Sequence, residues 1–122
     1  MTTHVLATEG PRLAVISCAI RNTGGGWALI EDSAHAPSGV SGVIQHADNL
    51  EITHAVGAVR VSSVQVTPDE HYAARAVRCG ISVGLDLSRI YLYKGTSTTP
   101  VDPATLVASS GNLWVTGLLE LA

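Results

Sequence analysis

Charged residues are scarce in this chain, and phenylalanine is absent from it. Only 14% of the 122 residues are charged, against roughly 25% in ordinary soluble domains. The Glu- and Lys-rich surfaces of long helices are therefore missing, and the many Gly, Val, Ala, Ser and Thr residues suit short strands and turns. So little charge also indicates that part of the surface is covered in the working state, as in a homo-oligomer or a subunit of a larger assembly.

Basic runs, long apolar runs and an export signal are also missing. The seven Lys and Arg residues are scattered and stand against ten Asp and Glu, a net charge of −3, so we expect no nucleic-acid partner. The apolar stretches are far shorter than the about 20 residues that cross a membrane. Met1–Leu6 lacks the charged and apolar regions of a signal peptide. We therefore expect no membrane partner and a chain that stays in the cytoplasm unless something assembles around it.

The two cysteines, Cys18 and Cys79, are both flanked by apolar, strand-like residues. This setting favours two small buried hydrophobic side chains. A disulfide between paired strands is the disfavoured alternative, because no export signal is present.

The clearest strand signal lies between Val77 and Tyr93. Apolar residues alternate with polar residues or glycine from Val77 to Leu87, which predicts a strand with one buried face, and Ile90–Tyr93 follows as a second β-rich run. Arg12–Asn22 is a near-continuous apolar strand. Leu113–Leu121 is mostly apolar on both faces, which predicts a central strand or an intersubunit contact. We expect this last strand to pair with the Val77–Tyr93 stretch in one sheet.

Turn signals divide the rest of the chain into a short N-terminal arm, residues 1–11, and further short strands. These strands are predicted around Trp27–Glu31, Gly42–His46, Leu50–His54 and Val56–Val66. In the last of them the valine spacing changes phase, which predicts a bulge at Ser62–Ser63.

Two short stretches of the sequence favour helical turns. Thr67-Pro68-Asp69-Glu70 has the pattern of a capping box with Thr67 as the cap, where we expect at most one helical turn. Asp102-Pro103 begins another single turn. With eight to nine strands in all, we predict an all-β fold in which residues 1–122 form one domain, an antiparallel β-sandwich or jelly roll of about eight strands.

No constellation of residues predicts a reaction, a metal site or a cofactor. The five histidines form no His-x-His or His-x-x-x-His pair. His46 and His54 could approach each other across the turn at Asp48–Asn49, but two ligands do not make a zinc site. A Gly-x-Ser-x-Gly elbow is absent, and the acidic residues are more simply solvated turn residues than a glycosidase pair. We expect a chain that is not an enzyme, unless the fold brings a His, an acid and a Ser or a metal into one cleft.

Aromatic residues supply the candidate contact sites. Tyr91 and Tyr93 are two positions apart on a strand, which places their rings on the same face. Together with Trp27 or Trp114 they could form a platform for sugar or an interface anchor, because Tyr and Trp combine apolar area with one polar group. Rings that merely cover the edge of the core are the alternative. As interface residues we predict Tyr91, Tyr93, Trp114, Leu118 and Trp27.

Four phrases of the sequence carry a family resemblance: Ile20–Trp27 (I-R-N-T-G-G-G-W), Val66–Glu70, Ser82–Gly95 and Asn112–Leu121. Through them the chain resembles small virion structural proteins of tailed phages of actinobacteria, of the minor tail or capsid decoration type. The last phrase also resembles the terminal strand of trimeric jelly-roll modules of the C1q and tumour-necrosis-factor type, where such a segment lies near the subunit core.

The resemblance implies a virion protein present in repeated copies, without cofactor or turnover. Its partners would be further copies of itself, with a trimer as one form, and other virion proteins. A minor tail or tail-tip subunit is the leading interpretation, and a capsid decoration protein is the second. A carbohydrate-binding module that contacts a cell-surface glycan through Tyr91 and Tyr93, or through a tryptophan, is a further alternative of a different class.

Overall fold

The computed structural model describes residues 12–32, 36–107 and 111–121, and these are almost entirely strands and turns. The strands are β1 (Arg12–Asn22), β2 (Trp27–Leu29), β3 (Val40–Gln45), β4 (Leu50–His54), β5 (Ala58–Pro68), β6 (Val77–Val83), β7 (Leu87–Lys94) and β8 (Leu113–Leu121). Helix α1 spans Glu70–Ala74, and a single 3-10 turn spans Pro103–Thr105. The predicted arm at residues 1–11 lies outside the described residues.

The eight strands form two antiparallel sheets of four. One sheet has the order β2-β1-β8-β5 and is called the β8 sheet here; the other has the order β3-β4-β7-β6 and is called the β7 sheet. Buried side chains from both sheets join in one core cluster. The predicted all-β sandwich of about eight strands is therefore confirmed.

Alternation along the central strands fills the space between the sheets. In β1 and β8 every second residue points inward, so Ile16 and Leu119 are fully buried, and in β7 the same alternation buries Ile90 and Leu92. The predicted bounds of β1 and β8 are those observed, and β8 is central, between β1 and β5.

The prediction of one strand from Val77 to Leu87 is wrong. The chain turns at residues 84–86, and β6 pairs with β7 as a hairpin, with Val83 opposite Ser88. The alternation of apolar residues continues in phase through this turn, so that Leu85 occupies an apolar position in the pattern yet is 45% exposed. The periodicity alone therefore hid the reversal.

The predicted pairing of this stretch with Leu113–Leu121 is also wrong. β7 pairs with β4 and β6, whereas β8 pairs with β1 and β5 in the opposite sheet. A mostly apolar strand indicates a central position, but it does not specify which strands lie beside it.

The predicted bulge in β5 is confirmed. The pairing of β5 with β8 shifts between Val61 and Ser63, and it shifts a second time between Ala58 and Arg60. Each extra residue lets valines three positions apart face the core, as Val61 and Val64 do. β5 is an edge strand, and bulges make such an edge a poorer template for further strands.

The helix cap differs from the predicted one. Thr67 and Pro68 still belong to β5, opposite Trp114 and Leu113, and Asp69 is the N-cap of α1. Its carboxylate accepts hydrogen bonds from the backbone N–H groups of His71 (3.1 Å) and Tyr72 (3.4 Å). With five residues, α1 is little longer than the single turn that was expected.

The second short turn is the predicted one. Asp102 caps the Pro103–Thr105 turn, and its carboxylate accepts a hydrogen bond from the backbone N–H of Ala104 (3.0 Å).

Candidate functional site

The predicted contact residues separate into three places. Tyr91 and Tyr93 lie together on the outer face of the β7 sheet, because Ile90 and Leu92 between them point inward. Trp114 and Leu118 lie on the outer face of the β8 sheet, in alternation with buried Val115 and Leu119. The tyrosines and Trp114 are thus on opposite sides of the sandwich and cannot form one platform.

Trp27 is not a surface residue. It is only 5% exposed, its indole N–H donates to the carbonyl of Pro103 (2.7 Å), and its ring stacks on that of Tyr72 with centroids 5.8 Å apart. The prediction of Trp27 as an interface anchor is therefore corrected: Trp27 belongs to the core, where it joins β2 to the 3-10 turn and α1.

The outer face of the β8 sheet carries an array of uncharged side chains. Three neighbouring strands each contribute three outward residues, in register across β8. We call this array the β8 face; it consists of Val15, Ser17 and Ala19 from β1, Trp114, Thr116 and Leu118 from β8, and Ser63, Gln65 and Thr67 from β5. The β8 and β5 members are exposed except for half-buried Leu118, whereas Ala19 is buried beside Trp114.

Charged and strongly polar groups mark both ends of this array. At one end Arg60 lies 3.9 Å from Glu120, and at the other Arg21 donates from Nε to the side-chain oxygen of Asn112 (2.7 Å). Depletion of charge at the centre with polar groups around it is the composition typical of protein interfaces.

The outer face of the β7 sheet is organised around Tyr93 and Arg78. A Cβ built on Gly80 would lie 3.3 Å from Cε2 of Tyr93, so the ring covers that glycine. The Arg78 guanidinium lies 5.4 Å from the centre of the same ring, which is within the range of a cation–π contact. Arg78 also donates to the carbonyls of Gly95 and Ser97, both at 2.7 Å.

Charged groups also lie on this face. Tyr91 is two positions from Arg89 on the same face of β7, and Arg89 is 3.7 Å from the carboxylate of Glu51. The same carboxylate oxygen lies 3.2 Å from Nε2 of His46. We call this outer face of the β7 sheet the β7 face. It combines two aromatic rings with charged groups, unlike the β8 face.

His54 and Ser88 form a hydrogen-bonded pair that the sequence did not reveal. Nδ1 of His54 lies 3.0 Å from the carbonyl oxygen of Leu85, and Nε2 lies 2.7 Å from Oγ of Ser88. Because the carbonyl can only accept, Nδ1 carries a proton, and in the neutral imidazole the Ser88 hydroxyl donates to Nε2. A base beside a hydroxyl resembles a nucleophile pair, but Ser88 is fully buried and His54 is 8% exposed. The pair holds β4, β7 and the turn at 84–86 together.

The approach of His46 to His54 that the sequence left open is not observed. The register of the β3–β4 hairpin places His54 opposite Val40, whereas His46 follows Gln45, which is opposite Leu50 at the other end. Within the ranges that the structure describes, no group of three His, Cys, Asp or Glu side chains could hold a metal ion.

A shallow concavity of about 540 Å³ lies over α1, lined by Asp69, Glu70, His71, Ala74 and Arg75. Two of its polar groups already have protein partners: Asp69 caps the helix and accepts from the backbone N–H of Asn112 (2.6 Å), and Arg75 donates to the carbonyl of Val107 (3.2 Å). So short a helix in so shallow a concavity offers little to orient a substrate.

The cysteine thiols are free and poorly suited to react. Burial raises the pKa of Cys18 to about 12 and that of Cys79 to about 11, so the reactive thiolate is rare at neutral pH. Burial also raises the pKa of the Tyr72 hydroxyl, and the nearby carboxylate of Asp69 acts in the same direction. Cys18 is buried, as predicted, whereas Cys79 is only half-buried.

Comparisons with family models, with curated proteins and with solved structures each find no match to this chain. In the described part of the chain, no helix has the length and apolar character needed to span a bilayer. The fold and the surface define a small antiparallel β-sandwich with two unlike outer faces. The β8 face is uncharged, and the outer face of the β7 sheet carries aromatic and charged residues.

Proposed function

We propose that this protein is a non-enzymatic structural subunit of a bacteriophage virion, which assembles with further copies of itself through the β8 face. The observation that carries the assembly is the uncharged array on β1, β8 and β5, which is bounded by polar groups at both ends. The phage assignment is supported by the resemblance of Ser82–Gly95 and Asn112–Leu121 to small tail and decoration proteins. Of the two positions, we favour a minor tail or tail-tip subunit over capsid decoration.

Trp114 and Leu118 would anchor such an assembly. Trp114 is 36% exposed, so a partner that covered it would remove about 90 Å² of mainly apolar surface, worth about 2 kcal/mol. The hydroxyl and amide groups around it can form hydrogen bonds with a partner or with trapped water at little cost. A large aromatic residue within an uncharged patch is a common form of interface hot spot.

A matched pair of substitutions tests the assembly. Thr116→Glu places a carboxylate at the centre of the β8 face, and Ser82→Glu places the same charge on the opposite face, opposite Arg89. We expect sedimentation velocity to show oligomers for the wild type and Ser82→Glu but monomers for Thr116→Glu. If all three proteins sediment alike, the β8 face is not the contact surface.

The genomic neighbourhood tests the virion assignment separately. Tape-measure and baseplate genes beside this gene would support a tail subunit, and a neighbouring major capsid gene would support decoration. A neighbourhood of metabolic genes would contradict both.

A second candidate function is binding of a cell-surface glycan through the β7 face. It is favoured by the two tyrosine rings on that face and by the cation–π contact of Arg78 with Tyr93. Titration with fragments of bacterial wall polysaccharide should then show binding that Tyr91→Ala weakens and Thr116→Ala leaves unchanged. Flat titrations across the set of fragments would remove this candidate.

A further inference from the structure

The β8 face is ordered by size along the strands. The pairing of β8 with β1 and β5 arranges the nine residues of the β8 face in three rows. The rows are Ala19, Trp114 and Thr67; then Ser17, Thr116 and Gln65; then Val15, Leu118 and Ser63. The largest side chain therefore lies in the centre of the first row, small polar side chains fill the middle row, and branched aliphatic side chains mark the third row.

We propose, building on the function proposed above, that the β8 face binds the β8 face of a second copy, with the two β8 strands antiparallel. The twofold axis lies between the two sheets, perpendicular to β8, and passes between Thr116 of one copy and Thr116 of the other. Each Trp114 then packs over Leu118 and Val15 of the partner subunit, while the middle rows face each other. Such an isologous contact uses the same patch on both subunits and closes at a dimer.

The sizes of the side chains favour the antiparallel arrangement. In the parallel alternative, with the axis along β8, Trp114 would face the partner's Trp114, and Leu118 would face the partner's Leu118. Two indoles would hold the sheets apart at one end and leave a gap at the other. The antiparallel arrangement pairs a large side chain with a smaller one at both ends, which permits even packing between sheets about 10 Å apart.

The dimensions and charge of the face identify a second copy as the occupant. β8 has nine residues, so at about 3.4 Å per residue and about 4.8 Å between strands the sheet projects roughly 500 Å². This projected area is close to the roughly 600 Å² per partner at the lower limit of stable interfaces. The uneven surface of the side chains makes the accessible area larger than the projected one. A contact of that size must use the whole sheet, and the same sheet of another copy matches it in length, width and absence of central charge.

Cysteine cross-linking tests the geometry. The variants are Thr116→Cys, Gln65→Cys, Ser17→Cys and, as a control on the opposite face, Ser82→Cys, each treated with a short bis-maleimide. The native thiols should not compete, because Cys18 is buried and half-buried Cys79 has its pKa raised to about 11. In the proposed arrangement β5 faces the partner's β5. Thr116→Cys and Gln65→Cys should therefore each give a species of twice 12.6 kDa, and Ser82→Cys should not.

The other outcomes separate the two proposals. If Gln65→Cys links only when mixed with Ser17→Cys, the arrangement is parallel. A mass of three chains for untreated Thr116→Cys in sedimentation velocity would exclude the twofold dimer. Both results overturn this inference but leave assembly through the β8 face intact. If Thr116→Cys does not cross-link and its mass stays at 12.6 kDa, assembly through the β8 face fails as well.

Discussion

Gly117 lies in the middle of the central strand β8, opposite the β5 bulge, and its replacement by alanine should be strongly destabilising. A Cβ at this position would meet the carbonyl oxygen of Ser63, and it would lie 2.8 Å from Cα and 2.9 Å from Cγ2 of Val64. Two of these atoms belong to the backbone of β5, so rotation of a side chain cannot relieve the contact. The bulge that turns Val61 and Val64 inward thus requires a residue without Cβ on the neighbouring strand.

The expected cost follows from overpacking. Forcing extra atoms into a well-packed site costs about 1–3 kcal/mol, and contacts with backbone favour the upper end. Replacement of a strand glycine by alanine also gains about 0.5–1 kcal/mol by restricting the unfolded chain. We therefore expect Gly117→Ala to lower the free energy of unfolding by about 2 kcal/mol, equivalent to roughly 8 °C in Tm for a domain of this size.

Gly42→Ala is the matched control, because a Cβ on Gly42 in β3 would meet nothing within 4 Å. It should leave stability unchanged or raise it by about 0.5 kcal/mol. Urea unfolding of the two variants and the wild type, followed by tryptophan fluorescence, measures the difference. Equal stabilities for the two variants would refute the close approach of β5 to Gly117.

Two further predictions concern the helix cap Asp69 and the buried thiol of Cys18. Asp69→Ala removes the cap of α1 and the acceptor for the backbone N–H of Asn112, so thermal unfolding should show that the free energy of unfolding falls by about 2–3 kcal/mol. In the control Asp102→Ala, which removes an exposed cap, it should fall by less than about 1 kcal/mol. Equal losses in the two variants would contradict the link that Asp69 makes between α1 and Asn112. Cys18 has its pKa raised from 9.0 to about 12, so the unfolded chain releases this proton first. Its contribution to stability is present below pH 9.0 and should fall by about 1.4 kcal/mol per pH unit above it. Urea titrations at alkaline pH should therefore show that Cys18→Ala loses stability less steeply with rising pH than the wild type. The same slope of stability against pH in both proteins would contradict the burial of this thiol.

The sequence predicted local features well where one physical cause decided them. The bounds of β1 and β8 follow from uninterrupted apolar patterns, and the Ser62–Ser63 bulge follows from the three-residue spacing of Val61 and Val64. Asp102 followed by Pro103 was sufficient to predict the 3-10 turn, because both residues suit the first turn of a helix.

The errors arose where distant residues decided the outcome. β8 pairs with β1 and β5 rather than β7 because strand neighbours are selected by the whole fold, which local periodicity does not encode. The same reason explains His54, whose partner Ser88 is 34 positions away. At the Asp69 cap, β5 simply continues through Pro68, since pairing with β8 competes with the capping-box pattern.

For the candidate site, the sequence predicted Trp114, Leu118, Tyr91 and Tyr93 as interface residues but could not divide them between faces. That division depends on which sheet each strand joins. Trp27 was misplaced for a related reason: its burial depends on Tyr72 and on the carbonyl of Pro103, 76 positions away.

The central claim is that this sandwich works as an assembled subunit whose β8 face is covered by another copy. Light scattering on the purified wild-type chain over a wide range of concentration tests it most directly. We expect a mass of at least twice 12.6 kDa at high concentration, which falls only on dilution. A mass of 12.6 kDa at every concentration would contradict it.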